Sequence, residues 1–94
     1  MNRFRVTLTE HAINDLKNIP KELRSQIHRD LMSLGSGPLP SEPRIKRLKG
    51  FRPPVYRLRS GDFRILYRIQ ADVVTVLRII DRKLLERAIK RLKI

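Results

Sequence analysis

Val55-Tyr56-Arg57-Leu58-Arg59-Ser60-Gly61-Asp62-Phe63-Arg64-Ile65-Leu66-Tyr67-Arg68-Ile69-Gln70 decides the fold of this chain. Two strand-like runs, Val55–Arg59 and Phe63–Gln70, flank Ser60-Gly61-Asp62, a hairpin turn. Ala71-Asp72 then turns the chain into a third run, Val73–Ile80. Links this short join antiparallel neighbours, so the three runs form a meander. Alternation assigns the faces. Tyr56, Leu58, Phe63, Ile65, Tyr67 and Ile69 point inward, together with Val73, Thr75, Leu77 and Ile79 of the third strand. Arg57, Arg59, Arg64, Arg68 and Arg78 then share the outward face.

Upstream, Phe4, Val6 and Leu8 alternate with Arg3, Arg5 and Thr7, the mark of a half-buried strand over residues 3–8. Thr9 reads as a helix N-cap with Glu10 in the first turn. Ala12, Ile13, Leu16 and Ile19 stripe this helix, and Pro20 ends it. Leu23, Ile27, Leu31 and Leu34 stripe a second helix that stops at Gly35. The two make an antiparallel hairpin. Residues 35–43, rich in Gly, Ser and Pro, are a loop, and Lys46–Lys49 is a basic cluster ending at Gly50. Downstream, from about Arg82, Leu84, Leu85, Ala88, Ile89 and Leu92 stripe a C-terminal helix. The expected fold is α+β: an N-terminal strand, the helical hairpin, and a three-stranded meander completing a four-stranded antiparallel sheet. The helices are expected on one face of that sheet.

The 94 residues suit one domain spanning 1–94. With no cysteine there is no disulfide, thiolate nucleophile or sulfur-based metal site. The N-terminus reaches charge too early for a signal peptide, and no apolar run approaches a membrane span, so a cytoplasmic location is expected. Charge is the strongest compositional signal: 22 Lys and Arg against 9 Asp and Glu, net +13. It is also lopsided. Met1 to Glu42 holds 6 basic and 5 acidic side chains, whereas Pro43 to Ile94 holds 16 and 4. Segregation of this kind points to a polyanion, here a nucleic-acid backbone.

Any one outward arginine suits a solvated sheet face. Five together do not, because like charges on neighbouring strands repel unless an anion lies among them. Guanidinium forks onto phosphate oxygens with two parallel hydrogen bonds. Lys46, Arg47 and Lys49 are either a backbone-tracking patch or a solvated run. The cations of the last helix (Arg82, Lys83, Arg87, Lys90, Arg91, Lys93) include an ordinary exposed face. His11 and His28 sit on different helices without ligand-spaced neighbours, so no metal or other cofactor is expected. Asp62 and Asp72 occupy turns for backbone reasons.

Arg47-Leu48-Lys49-Gly50, Tyr56 through Tyr67 and Asp81-Arg82-Lys83 together resemble the RelE/ParE superfamily of toxins, and the order of the remaining elements fits it. The resemblance implies the toxin of a type II toxin–antitoxin pair, with a cognate antitoxin laying an acidic amphipathic segment over the basic surface. RelE-like members are metal-independent mRNA endoribonucleases that work on the ribosome. In them a 2′-hydroxyl attacks the adjacent phosphate and leaves a 2′,3′-cyclic phosphate. By this resemblance Arg57, Arg59, Arg64 and Arg82 fall on catalytic positions, with Lys46, Arg47, Lys49, Arg68, Arg78 and Lys83 as further nucleic-acid contacts. Two departures matter. Glu86 stands where the family places a C-terminal tyrosine, and Arg replaces the commoner Lys at 57 and 59. ParE-like relatives, which inhibit DNA gyrase without cutting RNA, lack the catalytic set, so both activities stay open.

Overall fold

Thr9 starts the first helix and also fastens it. Its Oγ1 accepts from the Ala12 N–H at 3.1 Å and donates to the Leu77 carbonyl at 3.0 Å, so one hydroxyl caps the helix and ties it to the last strand. The computed structural model describes residues 3–92. Its elements are β1 (Arg5–Leu8), α1 (Glu10–Lys17), α2 (Lys21–Ser33), β2 (Ile45–Leu48), β3 (Val55–Ser60), β4 (Phe63–Gln70), β5 (Val73–Asp81), a 3₁₀ turn (Arg82–Leu84) and α3 (Leu85–Leu92).

The sheet has five strands, in the order β1-β5-β4-β3-β2, not the four expected. The additional strand is β2, which the sequence presents as a basic loop cluster. Ile45 is buried beneath the helical hairpin while Leu48 packs on the opposite face, as alternation requires of residues three apart. Four residues with two adjacent charges are too few to display that period. β1 is the second correction: it lies parallel to β5, whereas β2 through β5 pair antiparallel. A parallel join needs a long crossover, and the helical hairpin together with β2, β3 and β4 provides it.

The helices do not share one face. α1 and α2 bury Ala12, Ile19, Ile27, Leu31 and Leu34 against Ile45, Leu58, Ile65, Tyr67, Val74, Val76 and Ile79. α3 lies on the other side, its Ala88 packed with Phe51, Val55, Leu66 and Ile80, flanked by Leu77, Leu85, Ile89 and Leu92. Fully burying an aliphatic side chain of this size contributes about 1.5–3 kcal/mol, which is why an apolar strip on the outward face cannot stay bare. The outward Val55, Leu66 and Ile80 carried that signal.

β5 also departs from the expected phase. Leu66 pairs with Arg78 but Tyr67 pairs with Val76, leaving Leu77 as a bulge residue. Val74 and Val76 therefore join the hairpin face in place of Val73, Thr75 and Leu77, and Ile79 keeps its inward position. Both hairpin turns place a positive φ at their first central residue, Gly61 at 58° and Ala71 at 54°. Glycine meets that demand without cost; alanine carries strain of roughly 1 kcal/mol.

Two polar contacts tie the meander to the segments before β2. Tyr67, stacked on Tyr56 with centroids 5.6 Å apart, donates its hydroxyl to the Pro38 carbonyl at 2.7 Å. Ser60 donates to Asp30 Oδ2 at 2.6 Å, joining β3 to α2. Among the described residues no helix is long and apolar enough to cross a membrane.

Candidate nucleic-acid interface

Cross-strand pairing decides which cations meet. Partners in an antiparallel pair share a face, so Lys46 opposite Arg57, Arg57 opposite Leu66, Arg59 opposite Arg64 and Arg64 opposite Ile80 all lie on the α3 side. Arg82 opens the 3₁₀ turn after β5. Its N–H donates to the Asp62 carbonyl at 2.9 Å, bringing the end of β5 to the β3–β4 turn. Arg59, Arg64 and Arg82 thus gather at one end of the sheet.

Their electrostatics show mutual repulsion rather than pairing. The Arg64 guanidinium is pushed below its ordinary value, first by burial, then by the charges of Arg59 and Arg82, with Asp62 and Asp81 opposing. Among the described residues no carboxylate forms an ion pair with Arg59 or Arg64. Arg82 meets Asp62 only at 3.9 Å, with both side chains exposed, a contact worth little. Arg64 donates to the Gly61 and Phe63 carbonyls at 3.0 and 2.8 Å, which aims it at the turn.

Arg57 shares the face but not the solvent. Only 9% exposed, it donates toward the Pro43 and Arg44 carbonyls at 3.2 and 3.4 Å. Burial lowers its pKa first, then the charges of Arg64 and Arg59. It holds the turn that precedes β2 while adding positive potential near Arg59. An open groove of about 310 Å³ beside Arg59 is lined by Gln26, Asp30, Pro43, Arg44 and Gly61. Arg44, which sequence reasoning passed over, donates to Ser33 Oγ at 2.6 Å and adds a cation there. No periodicity marks Arg44, because it sits in a loop.

The other expected contacts separate. Arg47 pairs with Tyr56 and so belongs to the helical-hairpin face, exposed on the edge strand β2. Charges on an edge strand also block pairing with another sheet, which is sufficient reason for Lys46 and Arg47. Lys46 meets Glu42 at 3.5 Å, and Lys49 is exposed just past β2. Lys83 donates its N–H to Asp81 Oδ1 as part of a cap. Arg68 lies on the α3 side opposite Thr75, its Nε buried without a hydrogen-bond partner among the described residues.

Arg78 differs most. It occupies the arginine face by register, yet its Nε and Nη2 donate to Asp15 Oδ2 and Oδ1 at 2.7 and 3.1 Å. The same Oδ2 accepts from the Ile79 N–H at 2.9 Å, at the β5 edge beyond the end of β1. This carboxylate raises the Arg78 pKa, chiefly through the hydrogen bond. Asp15 was invisible as a partner in sequence, since 63 positions separate the two. Lys93 lies outside the described residues. Among the described residues no three His, Asp or Glu side chains converge to hold a metal ion.

The family profile described as the ParE toxin of the type II toxin–antitoxin system parDE matches residues 6–85. The chain belongs to the RelE/ParE superfamily of type II toxins. A Methanocaldococcus jannaschii protein that carries the toxin name RelE1 is 34% identical over 83 residues, covering 86% of this chain and 91% of that protein. Among solved structures, the toxin is similar to the archaeal RelE–RelB complex of Pyrococcus horikoshii OT3 (TM-score 0.72, 25% identity, 85% of this chain and 96% of that one). It is equally similar to the RelBE2 toxin–antitoxin complex of Mycobacterium tuberculosis (TM-score 0.73, 26% identity, 85% and 99%).

Proposed function

We propose that this toxin is a ribosome-dependent mRNA endoribonuclease whose substrate phosphate sits among Arg59, Arg64 and Arg82. One observation carries the reading: three guanidiniums gather at one sheet end, Arg59 and Arg64 with no ion-pair partner among the described residues and Arg82 with only an exposed contact to Asp62. Such a site suits the charge that grows on a phosphate as a 2′-oxygen attacks it in line and the 5′-oxygen departs, leaving a 2′,3′-cyclic phosphate. Donors already aimed at that charge stabilise it without reorganising. Guanidinium keeps its proton, however, and cannot accept the one released by the 2′-hydroxyl. In this reading proton transfer falls to groups of the ribosome or substrate, consistent with Glu86 at the family's tyrosine position. Arg57, turned onto backbone carbonyls, acts as a positioning residue.

The RelB-bound state of the two solved relatives supports a cognate antitoxin here as well, with an acidic amphipathic segment covering the arginine face. The test is primer extension on cellular transcripts after induction. Cleavage inside codons, suppressed by Arg64→Ala, is the expected result. A second reading is favoured by the ParE profile and by the missing base: inhibition of DNA gyrase without nuclease activity. Intact transcripts together with blocked supercoiling by purified gyrase would establish that alternative and refute the first.

A further inference from the structure

A cleft of about 140 Å³ opens between α3 and β5. Arg78, Arg87 and Arg91 line it, above a floor of Ile80, Leu84 and Ala88. We propose that this cleft is a second phosphate site, separate from the Arg59, Arg64 and Arg82 cluster, and that an anion held there pins α3 to the sheet. The inference does not depend on whether the toxin cuts RNA.

Four observations lead to it. Arg87 and Arg91 stand one turn apart on α3, and like charges at that spacing weaken a helix. In a helix of eight residues the penalty bears on a marginal element, unless something negative lies between the two cations. Next, Asp15 grips Arg78 through Nε and Nη2, which fixes that guanidinium at the cleft as an oriented donor. Asp15 is also the one carboxylate, among the described residues, in ion-pair contact with any of the three arginines, so the cluster keeps a surplus of two positive charges. Lastly, the small Ala88 between Arg87 and Arg91 leaves a notch over Ile80. One water needs only about 10–15 Å³ of such space, so a tetrahedral oxyanion has room. Three planar donors converging from two elements match phosphate oxygens better than a single carboxylate, which one arginine already satisfies.

The ligand chemistry is a phosphate group, either free or within an RNA backbone. The purified full chain, with arginine side chains labelled for NMR, is titrated with inorganic phosphate while chloride keeps the ionic strength constant. The Nε–H signals of Arg87 and Arg91 and the Nη–H signals of Arg78 should shift and saturate together. The exposed double substitution Arg87→Gln/Arg91→Gln should weaken that binding at least tenfold without changing the signals of Ile65 or Val76 in the core. A parallel titration with a diadenosine ribonucleotide separates the sources. Saturation of the same three arginines identifies the RNA backbone, and saturation by inorganic phosphate alone identifies a free phosphate; either outcome supports the site. Uniform, unsaturable shifts of all arginines would overturn it. So would saturation confined to Arg59, Arg64 and Arg82, unchanged affinity in the double variant, or a response only to a glutamate-rich peptide.

Discussion

Arg64 and Arg78 stand on the same face of the same sheet, two strand positions apart along the paired β4–β5 ladder, and their fates are opposite. Arg78 meets a helix carboxylate, is held by two hydrogen bonds and becomes harder to deprotonate. Arg64, lowered first by burial and then by Arg59 and Arg82, becomes easier to deprotonate. Face alone therefore does not assign a role. What approaches from the neighbouring element decides whether a guanidinium is held by a carboxylate or stands among other cations. α1 reaches the β5 edge just where β1 ends and brings Asp15 to Arg78, whereas at the β3–β4 turn the α2 carboxylate of Asp30 accepts from Ser60 and forms no ion pair with Arg64.

The contrast predicts a hierarchy of effects. Arg64→Ala should reduce RNA cleavage in cells by about a hundredfold or more, the usual cost of removing one preorganised donor to a developing oxyanion. Its folding stability should stay within about 1 kcal/mol of the parent, because only two local backbone contacts, one exposed and one partly buried, are lost. Unchanged cleavage with a collapsed fold would invert the comparison. Asp15→Asn should do the reverse, lowering stability by about 2–4 kcal/mol in urea unfolding, since Arg78 is left partly buried beside a neutral amide. Combining it with Arg78→Met should recover part of that loss. A stable Asp15→Asn protein would mean that the pair braces nothing.

Smaller effects sharpen the same contrast. Arg59→Gln should lower the log–log salt slope of single-stranded RNA binding by about 0.7, as expected for one phosphate contact. An unchanged slope would remove Arg59 from the interface. The alkaline limb of stability offers a last check. Arg78 has a raised pKa, so its contribution is complete below about pH 12 and cannot account for losses beginning at pH 10. Tyr67 can. Burial raises its pKa while the unfolded phenol still ionises near 10, so stability should start to fall there by about 1.4 kcal/mol per pH unit. Tyr67→Phe should abolish that dependence while costing about 1 kcal/mol at neutral pH. Persistence of the full slope in the phenylalanine variant would refute the assignment.

The meander and the helical hairpin were legible because each rests on a local period. Ile27, Leu31 and Leu34 repeat at helical spacing, and Ile65, Tyr67 and Ile69 alternate. β2 was not, because Lys46 and Arg47 interrupt a strand only four residues long. The Leu77 bulge was hidden since Val74, Leu77 and Ile79 are apolar in either phase. The side taken by α3 could have been inferred from the outward Val55, Leu66 and Ile80. For the site, the shared face of Arg57, Arg59, Arg64, Arg68 and Arg78 followed from alternation. The burial of Arg57 and the capture of Arg78 did not, because both depend on partners brought by tertiary packing.

The parallel seam between the first and last strands has a consequence for how the molecule comes into being. Arg5 waits for Val73, so an entire strand emerges from the ribosome with no neighbour until most of the chain has been made. Its two half-buried apolar residues, Val6 and Leu8, remain on offer throughout that interval. Any companion present during synthesis would meet the nascent polypeptide before its sheet is closed.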